Sequence, residues 1–242
     1  MINVAKLNDV AALASLVYPP ACVACASTVE PNEYLCDACD DKITRIVPPF
    51  CARCSEPFEG AIDQEFRCAN CAQREMNFEA AVAAYRSRGI VRRILLDFKY
   101  GRQVHLRHLI GRWLCAALND DRLRGKTFDV IVPVPLHPAR ERQRGFNQAH
   151  LLAEILSAHM STKHMSILQR VRYTTTQTAF DRTERMENLH NAFRLRPRAD
   201  VQGLRVLLVD DVLTTGSTLS ECARVLKEAG AQSIFAATAA RA

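Results

Sequence analysis

The residues best suited to chemistry lie in one run, Val206-Leu-Leu-Val-Asp-Asp-Val-Leu-Thr-Thr-Gly-Ser-Thr218. An apolar strand leads into two acids, then into a hydroxyl- and glycine-rich turn that opens a helical pattern. In a parallel sheet, ligands bind beyond the carboxyl ends of the strands. The turn gathers backbone N–H groups and the hydroxyls of Thr214, Thr215, Ser217 and Thr218 around one point, and the helix N-terminus adds positive potential. Gly216 lets the backbone approach closely. This is a phosphate cradle. Asp210 and Asp211 would repel a phosphate unless they had another task, and accepting hydrogen bonds from two vicinal ribose hydroxyls is such a task. The turn holds no lysine, so it is not a Walker A loop. No GxGxxG precedes it, so it is not a dinucleotide fingerprint.

A second chemistry is written in cysteine. Of the ten in the chain, eight form four CxxC pairs: Cys22/Cys25, Cys36/Cys39, Cys51/Cys54 and Cys68/Cys71. Each pair presents two thiolates from one tight turn, and two such knuckles complete a tetrahedral sulfur shell for zinc. Adjacent pairing puts Cys22, Cys25, Cys36 and Cys39 in one site and Cys51, Cys54, Cys68 and Cys71 in another; interleaved pairing satisfies the same spacing. Eight ligands suffice for two structural zinc ions, or one quartet holds zinc and the other plays a weaker part. An iron–sulfur cluster is the runner-up. The segment has no run of large apolar residues, so metal is expected to supply its folding free energy. Cys115 and Cys222 stand alone in apolar helical contexts and read as buried core thiols.

Positioning these residues requires an α/β frame. Strands are expected at 78–85, 128–134, 166–168, 205–209 and 233–238. Helices are expected at 90–99, 106–118, 149–160 and 217–229. In the first helix Ile90, Val91, Ile94, Leu95 and Phe98 share a face, with Arg92, Arg93 and Lys99 opposite. Between 134 and 149 the chain reads as a loop dense in proline and arginine, and 170–191 as a long mobile loop. Alternating strands and helices imply a parallel sheet with both faces covered. The expected organisation is a short helix over 1–17, a zinc module over 18–75 and the α/β domain over 79–242.

The bulk numbers agree. The 242 residues are 48% apolar and 24% charged, with a net charge of +6. That length allows one full domain and an appendage, and the balance suits an anionic partner. No stretch approaches the roughly 20 apolar residues of a membrane helix. The N-terminus makes a poor signal peptide, so a cytoplasmic protein with reduced cysteines is expected.

Val206 to Thr218 resembles the phosphoribosyl pyrophosphate motif of type I phosphoribosyltransferases. The resemblance assigns Asp210 and Asp211 to the ribose hydroxyls and Thr214, Thr215, Gly216, Ser217 and Thr218 to the 5-phosphate. The strand Val130-Ile-Val-Pro-Val-Pro135 resembles the loop that receives pyrophosphate. Its continuation, Leu136-His-Pro-Ala-Arg-Glu-Arg-Gln-Arg-Gly-Phe-Asn-Gln148, is similar to the ComF family of competence-associated phosphoribosyltransferase-like proteins, as are the upstream CxxC pairs, Phe98-Lys-Tyr-Gly101, Arg170-Val-Arg172 with Thr176 and Gln177, and Arg185 to Asn188. That family implies handling of imported single-stranded DNA in natural transformation.

Arg140, Arg142 and Arg144 follow a strand's carboxyl end, and their guanidinium forks suit either pyrophosphate or a DNA backbone. Phe146 and Asn147 could meet a base, although packing of Phe146 into the core is the simpler role. His105, His108 and His137 show no metal spacing and read as structural or surface residues. The loop after Arg170 and Arg172 could close as a lid. The diphosphate would need Mg²⁺, held mostly by its own oxygens and water.

Three functions compete. One is an enzyme in which a nitrogen nucleophile displaces pyrophosphate, as in nucleotide salvage. Another is a module that binds phosphoribosyl pyrophosphate and single-stranded DNA. The last is a non-enzymatic scaffold that docks DNA-processing proteins. The chain ends at Ala242 soon after the last strand, and no segment reads as a base-recognising hood, so the acceptor stays unassigned.

Overall fold

The computed structural model describes residues 19–62, 64–173 and 191–242. The expected helix over 1–17 and most of the expected lid lie outside the described residues. In the cysteine module two short helical turns, α1 (Asp37–Asp40) and α2 (Ala69–Ala72), each start directly after a ligand-type cysteine, Cys36 and Cys68. The larger part runs β1 (Ala81–Arg86), α3 (Gly89–Tyr100), α4 (Arg107–Ala117), β2 (Val130–Pro133), α5 (Pro138–Arg144), α6 (Gln148–Met160), β3 (Leu168–Arg170), β4 (Phe193–Leu195), β5 (Arg205–Leu213), α7 (Ser217–Glu228) and β6 (Ser233–Arg241).

Strands β1, β6, β5 and β2 lie side by side in that order, all parallel. Val206 to Val209 of β5 are fully buried, as a central strand covered on both faces requires. Alternation along β5 divides the core. Leu207 and Val209 join the layer made by α3, α4 and α6. Val206 and Leu208 join the layer made by α7 and the antiparallel β3–β4 pair. Side chains on a strand alternate faces, so Asp210 continues the α7 face and Asp211 the α3 face.

The cysteine module is not a separate bead. Val29, Leu35 and Ile43 are buried in the α3 layer, whereas Cys51, Cys54, Met76 and Phe78 are buried in the α7 layer. The module thus borrows core from the sheet, which amends the expectation that metal alone must hold it. The chain between the two cysteine quartets also covers the β1 edge: Ile46 N–H donates to Ala84 O at 2.9 Å and Arg86 N–H to Thr44 O at 2.8 Å. Sheet edges left open are sites of unwanted pairing.

Four local differences have clear causes. The expected proline–arginine loop contains helix α5. Pro138 sits in the first turn, where its missing N–H costs nothing; His137 Nδ1 accepts from Ala139 N–H at 3.2 Å, and Gly145, at φ 88°, ends the helix in the left-handed region. Strand β5 runs on to Leu213, because Asp210, Val212 and Leu213 stay in register with Thr238, Ala240 and Arg241 of β6. Strand β3 falls at 168–170, later than expected, and its partner β4 has no signal in the sequence, since three residues are too few for periodicity. Cys222 is fully buried as expected, but Cys115 is only half-buried.

Candidate functional site

The site begins where β5 leaves the sheet. Asp211 is 4% exposed, and its Oδ2 lies 2.5 Å from Lys99 Nζ. Lys99 comes from the last turn of α3, where the apolar stripe Val91, Ile94, Leu95 and Phe98 anchors the helix. Burial alone would pull the lysine's pKa down; the Asp211 carboxylate outweighs it and raises it, so the ammonium is held charged. The expectation that Lys99 stands on the solvent face is therefore corrected. Its position one residue past Phe98, at the buried end of the stripe, was the available signal. Asp210 points to the opposite face, and burial together with the adjacent Asp211 pushes its carboxyl up to about 8. Asp211 N–H donates to Asp210 Oδ1 at 2.9 Å.

Beyond Leu213 the chain turns. Thr215 Oγ1 and Ser217 Oγ are 2.9 Å apart, and Ser217 N–H donates to Thr215 Oγ1 at 3.4 Å. Gly216 takes φ 78° and caps α7, a backbone state that side-chain-bearing residues rarely adopt. Thr214 is exposed, Thr215 and Thr218 half-buried and Ser217 buried. The structure thus brings Thr214, Thr215, Gly216, Ser217 and Thr218 together at the N-terminus of a twelve-residue helix.

One element touches this turn, and a second lies beside Asp211 through Lys99. From the cysteine module, Asn70 Nδ2 donates to Thr215 O at 3.0 Å, and Met76 lies beside Gly216. Asn70 sits between Cys68 and Cys71, a link the sequence did not reveal because its two ends are 145 residues apart. The second element is a cleft of about 410 Å³ lined by Lys99, Tyr100, Arg102, Arg140, Gln143, Arg144 and Tyr173. Arg144 stacks over Tyr100 at 5.0 Å and Arg140 over Tyr173 at 5.6 Å. Arg140 and Arg144 are four apart on α5 and share a face. Arg142 falls on the other side and is exposed, so the three arginines do not converge. Tyr100 and Tyr173 are 67% and 51% exposed, an unusual outlay of aromatic surface beside four cations. Phe146 instead packs on Phe98 at 5.3 Å, and Asn147 caps α6 and donates to Val134 O at 3.1 Å. Neither is spare for a base.

The cysteines gather as adjacent quartets. In Cys22, Cys25, Cys36 and Cys39, and again in Cys51, Cys54, Cys68 and Cys71, all sulfurs lie within 4.8 Å of one another. Cys25 and Cys36 Sγ are 3.6 Å apart, as are Cys54 and Cys68 Sγ. Zinc–sulfur bonds of about 2.3 Å in a tetrahedron set sulfurs about 3.8 Å apart, so each quartet fits the ion. Hydrogen bonding among the sulfurs pulls Cys51 far below the usual thiol range and pushes Cys54 and Cys71 above it. A dication relieves that competition for protons. Arg122 locks the second quartet's first knuckle, donating to Cys51 O at 3.2 Å, Ala52 O at 3.0 Å and Ser55 Oγ at 2.7 Å.

These features match known families. Residues 114–242 match the phosphoribosyl transferase domain and residues 13–75 the double zinc ribbon domain. The chain is therefore a phosphoribosyltransferase-type α/β protein carrying a double zinc ribbon. It is 32% identical to competence protein F of Haemophilus influenzae, over 83% of this chain and 87% of that one. It is 31% identical to the DNA utilization protein YhgH of Escherichia coli, over 90% of this chain and 96% of the relative. The chain belongs to the competence protein F family. Among solved structures, adenine phosphoribosyltransferase from Thermoanaerobacter pseudethanolicus is similar at 19% identity and a TM-score of 0.34, covering 55% of this chain and 68% of that one. Among the described residues no helix is long and apolar enough to cross a membrane.

Proposed function

We propose that this protein binds phosphoribosyl pyrophosphate at the end of β5 and handles single-stranded DNA in the cytoplasm, in the setting its relatives' names describe, competence and DNA utilization. The observation that carries the reading is the hydroxyl-lined turn at the start of α7, with Asp210 and Asp211 before it and, beside Asp211, a cleft whose four cations include Lys99. The turn takes the 5-phosphate, the two acids take the ribose hydroxyls, and Arg140 and Arg144 face the diphosphate. Mg²⁺ would screen the diphosphate, held mostly by its oxygens and by water. In the free protein Lys99 occupies Asp211, so ligand binding exchanges an ammonium for a hydroxyl at that carboxylate and frees Lys99 for a phosphate oxygen. The ribbons act as zinc-held buttresses, one ion each.

Calorimetric titration of phosphoribosyl pyrophosphate with Mg²⁺ tests this reading. Wild-type protein is expected to bind saturably. The Asp210→Asn/Asp211→Asn variant should bind at least about 100-fold more weakly, as loss of the Asp211 charge-assisted hydrogen bond together with the Asp210 contact implies. Absence of binding to zinc-loaded wild type would remove the sugar-phosphate reading. It would leave a DNA-handling or partner-docking protein on an inherited fold.

The exposed tyrosines favour the DNA half of the reading. Single strands bind where bases stack on aromatic rings and cations track the backbone. An oligothymidylate is expected to bind with strong salt dependence. Arg140→Ala/Arg144→Ala should weaken binding and reduce the log–log salt slope by about 1.4, roughly 0.7 for each phosphate that is no longer neutralised. An unchanged slope would place the strand on another face. Transfer chemistry is the second reading: a nitrogen nucleophile bonds to the anomeric carbon as pyrophosphate leaves with the electron pair. The same cleft favours it by offering charge to the leaving group.

A further inference from the structure

Among the described residues, outside the ribbons and the cleft, one cluster of metal-ligating side chains stands on the far edge of the sheet. His150, Glu154 and His164 bring their ligand atoms within 4.8 Å of one another. We propose that these three residues form a third metal site, for a divalent transition-metal ion of the zinc class. It is independent of the sugar-phosphate reading.

The backbone holds all three rigidly. His150 and Glu154 are four apart on α6 and share one face. That helix is fixed from behind by Leu152, Ala153 and Leu156, each fully buried. His164 follows the end of α6 and is pinned to the edge strand β2: Ile131 N–H donates to Lys163 O at 2.9 Å, and Met165 N–H donates to Ile131 O at 2.9 Å. The ligands thus come from two elements tied to the same sheet, so the site is preorganised rather than assembled by the ion.

The detailed contacts fit an ion. Ser166 Oγ lies 3.2 Å from His150 Nδ1. With Nδ1–H donated to that hydroxyl, Nε2 carries the lone pair, the arrangement that outer hydrogen bonds impose on metal-bound histidine. Nε2 then faces Glu154 Oε1 at 3.4 Å. Two facing acceptors are the metal-bound arrangement; in the metal-free protein a proton on Nε2 joins the pair instead. Nitrogen and oxygen ligands at about 2.0–2.1 Å from a tetrahedral ion stand about 3.3 Å apart, close to the separation seen. The second imidazole is near: the His150 and His164 rings have centroids 5.4 Å apart at 71°. Two imidazoles and a carboxylate suit zinc, nickel or copper rather than magnesium or calcium. Three protein ligands leave a fourth position for water. A bound ion would also staple α6 to the segment covering the β2 edge. His150 and Ser166 further line a cleft of about 280 Å³ shared with Arg170 and Arg196, so the ion would stand at the rim of a cationic cleft.

The test uses full-length protein with both cysteine quartets already filled with zinc. Zn²⁺ is titrated against a chromophoric chelator. One further equivalent is expected in wild type. It should be lost in His164→Gln and in Glu154→Gln, the latter an exposed position where the substitution leaves folding intact. Ser166→Ala should weaken it about tenfold or more. Co²⁺ added in place of Zn²⁺ should give d–d bands without thiolate charge transfer. Absence of a further equivalent would overturn the proposal, as would a further equivalent unchanged in both ligand variants. Thiolate charge-transfer bands from the added cobalt would assign the extra metal to cysteine and also overturn it.

Discussion

Cys54→Ser is expected to halve the cysteine-bound zinc of the protein, from two equivalents to one, and to lower its unfolding midpoint by more than about 10 °C. Cys54 is 1% exposed and shares a core layer with Met76, Phe78 and Leu213. A structural zinc contributes roughly 10–16 kcal/mol of apparent binding free energy to the fold that holds it. Losing one thiolate forfeits several kcal/mol of this, and each kcal/mol moves the midpoint by about 2–4 °C in a chain of this size. The damage should spread to the hydroxyl turn, because Asn70 holds Thr215 from within the same quartet. Zinc release by a colorimetric chelator and thermal unfolding by circular dichroism measure the two effects. Cys115→Ser is the control, a half-buried lone thiol whose loss should change neither. Retention of two equivalents with an unshifted midpoint in Cys54→Ser would refute a structural ion in the second quartet.

Lys99→Met should cost about 3–5 kcal/mol of stability, the typical penalty for leaving one member of a buried ion pair behind. The side chains of Lys99 and Asp211 are 19% and 6% exposed, so water reaches the orphaned carboxylate poorly. Adding Asp211→Asn should recover most of the loss, since the charge that needed a partner is then gone. A double-mutant cycle in urea checks the coupling. If Lys99→Met and Asp211→Asn were simply additive, the pair would be an exposed contact without energetic weight. The stakes are functional as well: the lysine holds this carboxylate in place at the end of β5, where the proposed ribose hydroxyl would meet it.

Much of this is legible along the chain because it is written in short spacings. Each CxxC is complete within four residues, and Val206 to Thr218 carries strand, acids, turn and helix start in one stretch. The central strand shows itself as an unbroken apolar run, since burial on both faces leaves no polar alternation. Local signals fail where an element is short or a residue type is ambiguous. Pro138 reads equally as a loop marker and as a helix start. Only the cap from His137 and the stop at Gly145 decide for α5.

Residue type and near-neighbour order suffice for the α/β class, the eight zinc-type cysteines and the acid–hydroxyl turn. The assembled fold was needed to show which cysteines group, that the ribbons are built into both core layers, and that Lys99 reaches Asp211 across 112 residues of chain. It also separated Arg140 and Arg144 from Arg142, and set Asn70 against Thr215. The physical reason is common to all of these. Burial and charge pairing act through space at a few ångströms, and partners more than a hundred residues apart acquire that proximity only when the sheet between them has formed.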